Sequence, residues 1–256
     1  MTTKNSGPTP TPTPASAADD ARAVLDAFEG LRVTDVCDGM DALGMHDMGQ
    51  MSRDIRPLWR DTDTFAHRIY GLAHTVRFVP TQRPVPQQTP DEFYEWMRNW
   101  YGTLARGPFV DQIRPRDIIV LDGYELGSTG FIGSNNALSW IAAGAVGVVT
   151  NGGARDTDEL IKQRTPVYSR YISRTIRPGR VELDAVQVPV NVGGALVNPG
   201  DVVVADGDGV VVVPAARAAE VAEQAWRHAS NDKAGRRELY RKVGLPEDWT
   251  VADPGR

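Results

Sequence analysis

Two rhythms of apolar positions run along the chain. Continuous β-branched stretches at Ile69–Val79 (IYGLAHTVRFV), Val146–Thr150 and Val210–Val213 predict buried strands. Apolar residues at steps of three and four predict helices between them. Asp19–Glu29 carries Ala23, Val24, Ala27 and Phe28, and Thr34–Leu43 follows, with Thr34 as N-cap and Gly44 as stop. Asp91–Leu104 carries Phe93, Trp96, Met97, Trp100 and Leu104, a stripe that must bury against the core or a second subunit. Ala137–Gly144 presents Leu138, Ile141 and Ala142 on one face, and Ala215–Ala229 presents Ala218, Val221, Ala222, Ala225 and Ala229, continuing in part through Arg236–Val243.

The ends read differently. Residues 1–20 are rich in Thr, Pro and Ser and predict a disordered tail. Residues 21–229 form the expected domain, with a Pro-rich and aromatic segment at 81–112. Residues 230–256 form a helical extension whose end, Thr250–Arg256, is expected to fray. Inside the domain, Pro115–Gly123 (PRDIIVLDG) is echoed by Pro199–Gly207 (PGDVVVADG). Two similar strands entered by similar turns are expected, their Asp residues bonding turn amides.

Composition narrows the function. A formal charge of −5 disfavours nucleic acid and anionic membrane as partners. A single cysteine, Cys37, excludes an intrachain disulfide framework. No apolar run is long enough for a membrane span, and the first residues lack a signal-peptide core, so a cytoplasmic location is expected. The basic segment with Lys162, Arg164, Arg170, Arg174, Arg177 and Arg180 reads as a solvated rim that could also carry cationic groups toward an anionic substrate.

The chemistry concentrates in Gly133–Glu159 (GSNNALSWIAAGAVGVVTNGGARDTDE). Gly152 and Gly153 are expected to break the strand and leave Arg155–Asp156 on a turn beyond its C-terminal end, the edge where α/β proteins bind ligands. Asp is a hard oxygen donor suited to Mg²⁺ or Mn²⁺, and Arg grips carboxylates through paired hydrogen bonds. A surface ion pair beside a turn is the alternative. Asp38 and Asp41 share a helix face and read as solvated, and His74 reads as a packed, hydrogen-bonded core residue.

Between Thr34 and Pro214 the chain resembles the RraA-like family. The resemblance rests on TDVCDGMDALG, GLAHTVRFVP, PRDIIVLDG, GAVGVVTNGGARDTDEL and NPGDVVVADGDGVVVVP, in that order. The family contains divalent-metal-dependent 4-hydroxy-4-methyl-2-oxoglutarate and 4-carboxy-4-hydroxy-2-oxoadipate aldolases, and the regulator of ribonuclease E activity. The resemblance implies a compact layered α/β/β/α fold of the swivelling β/β/α type, and a homotrimer, or a hexamer of trimers, with its site at the subunit interface. It also implies a small 2-oxo acid substrate and a Mg²⁺ or Mn²⁺ cofactor. The aldolase motif is an acidic residue, twenty residues, Arg-Asp, two residues and an acidic residue. Arg155, Asp156 and Glu159 match its second half. By that match Asp156 is the metal ligand, Arg155 anchors substrate oxygens, and the amides of Gly133, Ser134, Asn135 and Asn136 line the substrate-carboxylate pocket.

The first acidic position falls on Ser134, a departure from the aldolase pattern. A carboxylate there helps activate water in the aldolases. Its absence is expected to spare decarboxylation of oxaloacetate, which needs no base at a hydroxyl, more than retro-aldol cleavage. The base for cleavage stays open between a water on the metal and a carboxylate from a neighbouring subunit. The expected activity is a metal-dependent carbon–carbon lyase that releases pyruvate. The alternatives are a metal-assisted dehydratase or hydratase, and a non-catalytic regulator that binds a ribonuclease. The segment 81–112 makes the chain longer than compact members of the family.

Overall fold

The computed structural model describes residues 14–105 and 108–252. Among them a nine-stranded mixed sheet is flanked by helices on both sides. The strands along its path are β1 (Arg56–Pro57), β2 (Ile69–Pro80), β3 (Asp117–Asp122), β4 (Gly130–Ile132), β5 (Gly147–Ala154), β6 (Val167–Ile172) and β7 (Val181–Val186). A two-stranded ribbon of β8 (Val190–Val192) and β9 (Ala195–Val197) precedes the last sheet strands, β10 (Val202–Asp206) and β11 (Gly209–Val213). The sheet runs β1-β6-β5-β3-β2-β10-β11, with β4 beside β5 and β7 on the far half of β2.

The long strand β2 lies at the centre because the two copies of the sequence echo flank it. β3 joins it in parallel, Leu72 opposite Asp117, and β10 joins it antiparallel, Leu72 opposite Val202. The echoed aspartates do the same work in each copy. Asp117 and Asp201 accept from the amides of Arg114 and Asn198, three residues back, at 2.8 Å. Asp122 and Asp206 accept from the amides of Tyr124 and Asp208, two residues on. Their ionisation diverges with their surroundings. Burial pushes the Asp201 carboxyl up. Burial acts on Asp117 too, but His74, the Arg114 amide and Arg22 outweigh it and hold that carboxyl below its usual range.

Three apolar layers follow from strand alternation. One side of β10 and β11 (Val202, Val204, Val211, Val213) packs with Leu72 against α1 (Pro14–Ala23), α2 (Val33–Ala42) and α6 (Ala218–Val243). The other side (Val203, Ala205, Val210, Val212) meets Ile118, Val120, Val149 and Tyr168 in an inner core. Opposite faces of β3 and β5 (Ile119, Leu121, Val148) pack beneath α3 (Pro90–Thr103), α4 (Ser134–Ala142) and α5 (Thr157–Lys162). This is the expected α/β/β/α layering. Strands buried on both faces need apolar residues at every position, hence the unbroken valine runs.

The α2–α6 contact explains the alanine-rich face of the last helix. A Cβ on Gly39 would lie 2.7 Å from the Ala225 amide nitrogen and 2.9 Å from the Val221 carbonyl. Both obstacles are backbone, so neither can swing aside. Gly39→Leu is therefore expected to cost about 2–3 kcal/mol by overpacking, read as a lower urea midpoint at unchanged slope.

Several expectations are corrected. The predicted tail 1–20 is outside the described residues up to residue 13, and its remainder is part of α1. Helix α2 begins at Val33, not after a Thr34 cap. The Val33 amide is met instead by Asp206 Oδ2 from β10, at 2.9 Å. Gly44 does follow the helix, at φ 73°. Helix α4 buries Ala137 and Trp140, leaving Leu138 43% exposed. Helix α6 continues unbroken to Val243. The fraying expected at Thr250–Arg256 does not hold at Val251, which is fully buried and whose carbonyl accepts from Arg237 Nε at 2.9 Å. His74 is buried, as expected, with Nδ1 3.1 Å from Gln187 Nε2. Asp38 and Asp41 lie exposed on α2.

Candidate functional site

Strand β5 does not stop at its glycine pair. It runs on to Ala154, with a bulge between Thr150 and Gly153 where it pairs with β6. The glycines make room rather than break pairing. A Cβ on Gly152 would lie 2.5 Å from the Phe131 ring, and one on Gly153 2.6 Å from both Ser173 Cβ and the Thr129 carbonyl. Beyond the strand the chain turns sharply, and Asp156 takes left-handed torsions (φ 52°, ψ 43°) before α5. A non-glycine residue there carries strain of about 1–2 kcal/mol, least for Asp and Asn.

This turn brings Arg155 and Asp156 against the start of α4. The Ser134 amide donates to Asp156 Oδ2 at 3.1 Å, and Ser134 Oγ lies 3.5 Å from the same oxygen. Arg155 Nε donates to Asp156 Oδ1 at 3.2 Å, and its Nη1 to the Thr175 carbonyl at 3.4 Å. Both side chains stay about one third exposed. The residue at the family's first acidic position thus does touch the aspartate, as a hydrogen-bond donor rather than a second charge.

Two glycines make this packing possible. A Cβ on Gly130 would lie 2.7 Å from Arg155 Cδ, and one on Gly133 would lie 2.6 Å from Asp156 Oδ2. Gly133 has extended torsions open to any residue (φ −130°, ψ 169°), so the conflict is steric alone. Gly133→Ala is expected to displace the Asp156 carboxylate at little cost to the melting temperature and, if Asp156 is a metal ligand, to weaken Mn²⁺ binding about tenfold or more. Calorimetric titration with Mn²⁺ beside a thermal melt checks this.

A cavity of about 240 Å³ opens over the pair, lined by Gly133, Asn135, Asn136, Arg155 and Asp156, with Met97 and Tyr101 from α3. Of the residues expected at the site, Gly133, Asn135, Asn136, Arg155 and Asp156 line this cavity, Ser134 is not in its wall but bonds Asp156, and Glu159 lies in the first turn of α5 outside it. The first-turn amides of a helix have no partner within it, and this end attracts anions. The site thus joins a carboxylate, a guanidinium and a positive helix end. Among the described residues no group of three His, Cys, Asp or Glu side chains is arranged to hold a metal. Hard divalent ions are commonly held by one or two carboxylates with substrate oxygens and water completing the set, and Asp156 fits that donor type.

The sequence left open where the segment 81–112 lies. The structure answers this: α3 forms one wall of the cavity. Thr89 caps the helix reciprocally with Glu92, and Trp100 Nε1 donates to the Val181 carbonyl of β7 at 3.1 Å. Arg177 was missed as well. It sits in the basic segment expected to be a solvated rim, yet it is 5% exposed and lines the same cavity. Nothing in the spacing of six cations separates the buried one from the rest. Cys37 is no rival nucleophile. Burial, with nearby Asp38, Asp41 and Asp206, pushes its thiol up to about 11.

Fold and site together define an RraA-like protein. The family model described as "RraA-like: Aldolase/RraA" matches residues 33–212, and the chain belongs to that family. Among its relatives, DlpA of Legionella pneumophila is 25% identical over 189 residues, 73% of this chain and 27% of that protein. A putative 4-hydroxy-4-methyl-2-oxoglutarate aldolase of Halalkalibacterium halodurans is 29% identical over 132 residues, 50% of this chain and 61% of its own length. The matches therefore span less than two thirds of either relative. Among solved structures, an uncharacterized protein from Pseudomonas syringae pv. tomato superimposes with a TM-score of 0.67 at 28% identity, covering 88% of this chain and 94% of that one. Streptomyces coelicolor RraAS2 shares the fold, with a TM-score of 0.68 at 22% identity, covering 84% of this chain and 98% of that one. Among the described residues no helix is long and apolar enough to cross a membrane.

Proposed function

We propose that the protein is a divalent-metal-dependent carbon–carbon lyase that releases pyruvate from a small 2-oxo acid, by decarboxylating oxaloacetate, by retro-aldol cleavage of a 4-hydroxy-2-oxo acid, or both. The observation that carries this reading is the convergence of Asp156, Arg155 and the N-terminus of α4 on one cavity. The named aldolase relatives support the reaction class. In this reading the protein works as a homotrimer or a hexamer.

Both reactions break the C3–C4 bond and leave the electron pair on the enolate of pyruvate. The barrier lies in charge developing on the C2 oxygen. Asp156 would hold Mg²⁺ or Mn²⁺, which supplies Lewis-acid stabilisation of that charge. Arg155 adds a fixed positive charge, its guanidinium already oriented by Asp156 and the Thr175 carbonyl. The free amides of Asn135 and Asn136 take the C1 carboxylate. Ser134 donates to Asp156 and keeps its carboxylate aimed into the cavity. In retro-aldol cleavage the C4 hydroxyl must also lose a proton. Decarboxylation has no such requirement, and a neutral Ser134 therefore favours oxaloacetate.

The test is pyruvate release, measured with lactate dehydrogenase, from oxaloacetate and from 4-hydroxy-4-methyl-2-oxoglutarate with Mg²⁺ or Mn²⁺. The expected result is turnover abolished by EDTA, with oxaloacetate preferred. No metal-dependent turnover on either acid overturns the reading.

A further inference from the structure

A second and larger cavity, about 830 Å³, adjoins the site. It shares Tyr101, Asn136 and Arg177 with the cavity over Asp156. The smaller cavity suits a three- or four-carbon acid, whereas the larger falls in the range of about 300–1,000 Å³ typical of drug-sized ligands. We propose that this chamber is a second substrate subsite, built by the 81–112 segment, that receives a ring-bearing substituent on C4 of the oxo acid, with Arg177 meeting the C4 oxygen at the neck between the two cavities. This inference rests on the 2-oxo acid reading of the Asp156 site.

Three aromatic rings, Tyr101, Phe109 and Trp140, stand in a chamber wall that also carries Arg98, Asp111, Asn136, Ser139 and Arg177. Phe109 and Trp140 face each other with centroids 5.3 Å apart, and Tyr101 closes the side nearest Asp156. Such walls offer a ring apolar area and edge-to-face contacts. Helix α3 is held in place as a wall. Trp96 packs over Gly179, where an added Cβ would lie 3.1 Å from its ring, and the Leu183 amide of β7 donates to the Leu104 carbonyl at 2.7 Å.

Arg177 gives the neck its chemistry. Its guanidinium lies 5.3 Å from the Phe78 ring centroid and 5.2 Å from that of Tyr101, and Nη1 donates to the Ala105 carbonyl at 3.1 Å. Among the described residues no carboxylate lies within ion-pair distance of it. Asp111, in the chamber wall, is exposed and does not pair with it. A guanidinium has five N–H donors, and a buried cation without a counter-ion is costly unless it has work to do. A C4 oxygen or carboxylate crossing from one cavity to the other adds an acceptor to those the guanidinium already has in the Ala105 carbonyl and Tyr101. Burial pushes the Arg177 pKa down, against the opposing effect of neighbouring Tyr101.

The substrate class is then a 4-aryl-4-hydroxy-2-oxo acid. This is the retro-aldol branch of the proposed activity: C3–C4 breaks, the C4 hydroxyl proton passes to solvent water as C4 becomes the aldehyde carbon, and the electron pair left on C3 takes up one proton from water. Pyruvate and an aryl aldehyde together account for every atom of the substrate.

The experiment compares pyruvate with benzoylpyruvate, which adds a C4 oxygen and a ring, by calorimetric titration of the full-length protein with Mn²⁺ present. The expected result is benzoylpyruvate binding about tenfold or more tighter than pyruvate. A Cβ on Gly102 meets nothing within 4 Å, so Gly102→Trp enters open space in the chamber. It is expected to erase most of the difference between the two acids while the melting temperature holds. Arg177→Met is expected to weaken benzoylpyruvate by a similar factor. Equal affinities in the wild type, or a preference that survives Gly102→Trp, overturns the subsite. Benzoylpyruvate binding that is lost in Gly102→Trp, with no pyruvate binding, keeps the subsite and overturns the oxo-acid reading. Absence of binding by either acid overturns both.

Discussion

On the proposed lyase reading, Asp156→Asn is expected to lower metal-dependent pyruvate release by about a thousandfold or more, as the carboxylate proposed to hold the cation is lost. Asn is the more informative replacement because of the backbone. Residue 156 sits at φ 52°, which Asn tolerates nearly as well as Asp, so the turn and the start of α5 persist. Its carboxamide can still accept the Ser134 amide through its carbonyl oxygen. What it loses is the negative charge and the second acceptor oxygen, which takes the Arg155 Nε–H. Asp156→Ala removes the charge and also places a less suitable residue in the left-handed region, adding about 1 kcal/mol of instability. The two variants should share the activity loss and differ in melting temperature. Steady-state assays with lactate dehydrogenase and thermal melts separate the effects.

On the same reading, Arg155→Met is expected to lower turnover by about a hundredfold to a thousandfold, as when one preorganised donor to a developing oxyanion is removed. The arginine has few structural duties: Nε to Asp156, Nη1 to the Thr175 carbonyl, and an aliphatic stem across Gly130. Met keeps the stem. The loss should therefore fall on kcat more than on the melting temperature. Arg155→Lys should recover part of the rate, because it restores charge but not the planar fork. Mn²⁺ binding to Arg155→Met should stay close to wild type, in contrast to Asp156→Asn.

Much of the fold was legible in the chain, and the failures have physical causes. Valine runs marked β10 and β11 because strands covered on both faces admit nothing else. The PxD…DG echo anticipated matching turn bonds at Asp117, Asp122, Asp201 and Asp206. Gly152 and Gly153 were misread because a glycine pair looks the same whether it ends a strand or lets Phe131 and Ser173 approach one. Thr34 was taken for a cap because the donor's true partner, Asp206, is remote in sequence. The Arg155–Asp156 turn was placed correctly from the strand before it. The wall contributed by α3 was not, since it depends on long-range docking of Trp100 and Leu104 on β7. Arg177 is hidden for the same reason: the groups around its guanidinium, Phe78 of β2, Tyr101 of α3 and the Ala105 carbonyl, are all remote in sequence.

The central claim is that Asp156 holds a divalent ion in the cavity that also takes the 2-oxo acid. The most direct measurement is Mn²⁺ titration with and without oxalate, a stable mimic of the pyruvate enolate, on wild type and Asp156→Asn. Oxalate is expected to tighten Mn²⁺, and Mn²⁺ to tighten oxalate, by the same factor, about tenfold or more, and the coupling is expected to vanish in Asp156→Asn. Mn²⁺ affinity indifferent to oxalate, or unchanged in Asp156→Asn, would contradict the central claim.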